Sequence, residues 1–141
     1  MPVSNNMHTK KDQFHSLLLP LHFLLQLSGT AYAKYSANRI LLHAEAIRKA
    51  NREIYQLLIQ KADYIPEELQ SDILALMNHY TIWFIQFKEH KKVMKPSLGD
   101  EFIFRQLDDQ SAFPKAAEEK ILAYYRQLKK ELAAEAQVKH S

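Results

Sequence analysis

Arg39 and His43 are the pair in this chain best suited to chemistry. At a separation of four they would project from one side of a helix, where a guanidinium can hold a phosphate and an imidazole can move a proton. Histidine is plentiful, and Asp72, His79, Gln86 and His90 fall on one stripe of a helical stretch. A metal site in a bundle needs ligands converging from several helices, usually including a Glu-x-x-His pair, and that motif is absent from the sequence. His79 and His90 stand too far apart on one helix to share an ion. The stripe therefore reads as the hydrophilic border of an amphipathic helix, and neither a metal nor another cofactor is expected. Asn51 falls inside an otherwise apolar helical face, where a buried amide must find partners and could fix helix register or a dimer. Trp83, Phe84, Phe87, Tyr124 and Tyr125 recur at helical spacing and are core residues first. As walls of a ligand pocket, Trp83 and Tyr80 would join Asn51 and His79 as candidate binding residues.

The segment Arg39-Ile40-Leu41-Leu42-His43 resembles the motif of the helical HEPN nucleases. In that family an Arg and a His on a helix cut RNA with the help of the 2′-hydroxyl. The resemblance covers five residues, and the family's spacer is longer than the three residues found here. It implies an RNA-cleaving role for Arg39 and His43. A second link to nucleic acid is the basic group Lys88, His90, Lys91, Lys92 and Lys95, which equally suits a helix C-terminus complementing its own dipole. Nothing resembles a P-loop, a dinucleotide-binding glycine pattern, a nucleophile elbow or an H-E-x-x-H helix.

These residues must be carried by a single domain, since 141 residues suffice for one core and not for two. Apolar residues make up 47% and charged residues 25%, a balance that excludes an extended disordered chain. With only two glycines, Gly29 and Gly99, a fold rich in β-turns is disfavoured and helices with few connections are favoured. The absence of cysteine removes disulfides, thiolate metal sites and cysteine nucleophiles together. A net charge of +3 is a solvated surface rather than a polybasic tract.

Periodicity predicts an all-α bundle of four main helices near residues 10–30, 35–62, 66–92 and 114–134, with flexible ends at 1–9 and 135–141. In the first, Thr9 and Asp12 offer a capping box, and Phe14, Leu17, Leu18, Leu21, Leu24 and Leu25 oppose a polar stripe of His15, His22 and Gln26. Pro20 should bend this helix and Gly29 should break or kink it. The same stretch also fits a secretory signal, with Lys10 and Lys11 before a leucine-rich run and Ala31-Tyr32-Ala33 as a cleavage site. The phased His15, His22 and Gln26 favour a retained core helix. About 15 apolar residues at ~1.5 Å rise are too short to cross a hydrocarbon core of ~30 Å, so no membrane role is expected. The second helix presents Ile40, Ala44, Ile47, Ile54 and Leu58 on one face, and Pro66 opens the third, whose core face runs from Leu69 to Phe87. A long connection follows, with turn residues from Lys95 to Asp100 and an apolar Phe102-Ile103-Phe104 that should pack across the bundle. Phe113-Pro114 opens the last helix.

The leading functional expectation is a small, cytoplasmic, non-enzymatic helical protein acting through self-association, as a homodimer, and through a macromolecular partner. The alternatives are a HEPN-like enzyme using Arg39 and His43, and a small-ligand-binding bundle. If residues 1–33 were a cleaved signal, the location would be secreted or periplasmic.

Overall fold

The computed structural model describes residues 8–103 and 113–140. It is an all-α bundle in which α1 (Lys10–Gln13), a π turn (Phe14–Leu18) and α2 (Leu19–Ala37) form one continuous rod. Three further helices follow: α3 (Leu41–Gln60), α4 (Gln70–Met94) and α5 (Lys115–His140). Helix α2 packs chiefly on α3, and α4 packs on both α3 and α5. None of the described helices is long and apolar enough to cross a membrane.

The N-terminal rod starts at the expected capping box: the Asp12 N–H donates to Thr9 Oγ1 at 3.1 Å, and the Thr9 N–H donates back to Asp12 Oδ2 at 3.3 Å. Pro20 leaves its mark one turn earlier. It has no N–H for the carbonyl four residues before it, and there the helix widens so that the Leu19 N–H reaches Phe14 O instead. Gly29, expected to break the helix, does not; α2 continues through it to Ala37. One glycine weakens a helix by only about 1 kcal/mol, which the packing of Leu21, Leu25, Ala31 and Tyr35 on either side outweighs.

The second expected helix begins later than its periodicity suggested. Tyr35 belongs to α2, and residues 38–40 form an extended break before Leu41. No side chain caps α3. Its first N–H groups are satisfied by the later connection: Leu41 donates to Asp100 O at 3.0 Å and Leu42 to Leu98 O at 2.9 Å. Phe102 N–H donates to Arg39 O at 2.8 Å, and Ile40 and Glu101 form an antiparallel bridge. This clasp joins chain segments some sixty residues apart and seats Phe102 in the core. It realises the packing expected for the aromatic connection at Phe102, while Ile103 is exposed and Phe104 lies outside the described residues. The last helix extends to His140 rather than ending near 134.

Two apolar clusters result. The larger gathers Phe14, Leu17, Leu18 and Leu21 of the rod with Ile54, Leu58, Ile73, Leu76, Tyr80, Ile121 and Leu128. The leucine-rich first helix is thus a core element. The smaller cluster joins Ala31 and Tyr35 to Leu41, Ala44, Ile47, Phe87 and Phe102, with Trp83 against it.

Candidate functional site

A cavity of about 460 Å³ opens where the two clusters meet, a size that suits a small organic ligand. Four elements supply its walls. Helix α2 contributes Leu25, Ser28, Gly29, Tyr32 and Tyr35; α3 contributes Ala44, Ile47 and Asn51; α4 contributes His79, Tyr80, Trp83 and Gln86. Phe113 with Lys115 and Glu118 at the start of α5 close one side, and Arg39 stands in the break between α2 and α3. The spacing on α4 explains the selection, because Trp83 follows His79 by four positions and Tyr80 by three, and Gln86 follows Trp83 by three, so all share a face.

Several polar residues of this cavity are buried. Asn51 is 4% exposed and accepts a hydrogen bond through Oδ1 from Ser28 Oγ at 2.8 Å, which ties α3 to α2. Its amide nitrogen keeps two donors for a further acceptor. Tyr80 is 1% exposed, and its hydroxyl has no hydrogen-bond partner among the described residues. Burial, reinforced by the nearby Glu118 carboxylate, pushes the phenol well above its ordinary pKa, so it stays protonated. Gln86 Oε1 is also enclosed without a partner among the described residues. Burial raises Glu118 above its ordinary value, with Lys115 opposing and Glu119 reinforcing the shift.

Aromatic rings frame these groups. Trp83 stacks on Phe87 with centroids 5.0 Å apart, and His79 meets Phe113 edge-on at 5.2 Å. Tyr35 is fixed by donating its hydroxyl to Phe102 O at 2.6 Å. The clasp thereby reaches the cavity twice, through the Tyr35 ring and through the backbone of Arg39.

All four candidate binding residues, Asn51, His79, Tyr80 and Trp83, are brought to this one cavity. His79 and Gln86 were expected on a solvated border. The structure corrects this: His79 is 8% exposed, because α5 and Phe113 cover that side of α4. Arg39 and His43 are not brought together as a helical pair. Arg39 precedes α3 in extended backbone and lines the cavity, whereas His43 lies within α3 and is not among the cavity's lining residues. The basic group at the end of α4 is also divided. Lys91 pairs with Glu45, and His90 packs edge-on against Phe102 at 4.8 Å. Burial would raise Glu45, but hydrogen bonds from Lys91 and Arg48 outweigh it and hold the carboxyl below its ordinary value. No cluster of three or more His, Cys, Asp or Glu able to hold a metal occurs among the described residues.

Sequence reasoning missed Arg39 as a cavity residue, as well as Gly29, Gln86 and Glu118. The signal for Gln86 was present, three positions after Trp83 on the same face. For Gly29 and Glu118 none existed before the helices were docked. No family model matches this chain, and no curated protein or solved structure matches it either.

Proposed function

We propose that this protein binds a small organic molecule in the cavity between its two apolar clusters. The observation that carries the reading is a cavity of about 460 Å³ with Tyr80 among its wall residues, the hydroxyl of that residue being enclosed and unpaired among the described residues. A buried hydroxyl without a partner is costly, and a ligand that supplies one recovers that cost on binding. Aromatic walls with a few convergent polar groups are the usual make-up of such sites.

Gly29 supplies the test. A Cβ built there meets nothing within 4 Å, and the residue lines the cavity, so Gly29→Leu should fill the space from α2 without disturbing the helix. Trp83 is the only tryptophan, which makes intrinsic fluorescence a reporter placed in the cavity wall. A small-molecule library screened by thermal shift should give compounds that also change Trp83 emission. Binding should weaken at least about tenfold in Gly29→Leu, while that variant melts no lower than the parent. Compounds that bind Gly29→Leu equally well would place binding elsewhere and remove the reading.

We propose self-association as a second reading, carried by a separate surface. Leu19, Phe23 and Leu27 recur every four residues along α2 and are exposed, Phe23 at 63%. Such a stripe suits helix-to-helix pairing in a twofold dimer. Sedimentation equilibrium at micromolar concentration should give a dimer that Phe23→Glu converts to monomer. A stable 16.5 kDa species in the parent would refute it.

A further inference from the structure

The distribution of charge and polarity around the cavity bears on what it holds, provided that the cavity binds a ligand as proposed above. The formal charges of the lining are those of Arg39, Lys115 and Glu118, and the lining also holds the neutral polar side chains of Asn51, Tyr80 and Gln86. The walls are rings held in place: Trp83 by its stack on Phe87, and Tyr35 by its bond to Phe102 O. Fixed rings favour a flat apolar body with little loss of side-chain freedom on binding.

The rim is cationic. Arg39 is exposed and makes no ion pair among the described residues, in contrast to Arg48, Lys91 and Lys120, which all pair with carboxylates. Its backbone is held on one side by Phe102 N–H and sits beside the bridge between Ile40 and Glu101. The guanidinium is therefore presented from a fixed point at the cavity. Lys115 adds a second positive charge at the first residue of α5, partly offset by Glu118. Two cations against one carboxylate leave the lining with a formal excess of one positive charge.

We infer that the ligand is a planar aromatic acid, with its ring against the Trp83 indole and its carboxylate on the Arg39 guanidinium. A guanidinium presents two parallel N–H donors that match a carboxylate, which neither the phenols nor the amides of the interior can do. The polar edge of the ring system reaches Tyr80 and Gln86. A cationic ligand, which a cage of aromatic rings can also hold, would meet Arg39 and Lys115 as like charges.

Three naphthalene probes of nearly equal shape separate these possibilities by isothermal titration calorimetry: 2-naphthoate, 2-naphthamide and 2-naphthylmethylammonium. The expected order is naphthoate tightest, about tenfold or more over the amide, with the ammonium weakest. Arg39→Gln should abolish the preference for naphthoate and leave naphthamide binding within about twofold, whereas Lys115→Gln should have a smaller effect. Equal binding of acid and amide, or a preference kept in Arg39→Gln, would overturn the inference and leave the ligand-binding reading intact. Tightest binding of the ammonium would overturn it in favour of a cationic ligand. If no probe binds, the inference falls alone where the library screen has found a ligand, and together with the cavity reading where it has not.

Discussion

Phe102→Ala should lower the stability of this protein by about 3–5 kcal/mol, the largest single effect expected outside the main cluster. The ring is 1% exposed and packs between Phe87, at 5.2 Å, and His90, at 4.8 Å. Alanine keeps the backbone bonds to Arg39 O and from the Tyr35 hydroxyl, so the loss reads the ring and the void it leaves. Ile103→Ala, one residue on and on the exposed side, is the control and should cost less than about 1 kcal/mol. Urea unfolding followed by circular dichroism measures both. A cost below about 1 kcal/mol for Phe102→Ala would show that the clasp is not seated in the core, and Arg39 would lose its fixed position with it.

Tyr80→Phe should act with opposite signs on the empty and the liganded protein. In the empty protein it removes a buried hydroxyl that has no partner among the described residues, and should stabilise the fold by roughly 1–2 kcal/mol. The benzene ring keeps the packing of the phenol, so no cavity is created. Toward a ligand that bonds the hydroxyl, the same substitution should weaken binding by about fivefold or more. Thermal melts with and without the compound found by screening give both numbers. A loss of stability in the empty protein would mean that the hydroxyl is already paired there, and would take it out of the binding argument.

The helix count and most of the core were legible because the 3.6-residue period is strong: Ile47, Ile54 and Leu58, Ile73 and Leu76, and Ile121 and Leu128 are buried as their spacing requires. Asn51 was legible for the same reason, as a polar residue out of place on an apolar face. The boundary between α2 and α3 was not. Tyr35 and Ala44 lie on either side of the break, yet both belong to the smaller cluster, so the apolar rhythm runs across a stretch of extended backbone. Arg39 looked helical on that account, and its pairing with His43 followed from the same error. What fixes the break is tertiary: Asp100 and Leu98 carbonyls serve the first N–H groups of α3, and no local signal announces a cap supplied from some sixty residues away. The cavity belongs to the same class of feature. Its wall residues are ordinary members of four amphipathic faces, and only the docking of those faces leaves a space between them.

The π turn at Phe14–Leu18 can be understood as an insertion absorbed by the helix rather than by a loop. One extra residue is accommodated over that span, and every residue before it is rotated by about 100° relative to an uninterrupted α-helix. The rotation brings Phe14 onto the Tyr125 ring, stacked at 5.4 Å, and puts Lys10 within 3.3 Å of Glu131. A chain shorter by one residue here would lose both contacts, because its first turn would face a different side of the bundle. Sequence length in this stretch is therefore as constrained as sequence identity: a substitution that keeps these five residues helical leaves the phase intact, while a single deletion resets it for the whole N-terminal turn.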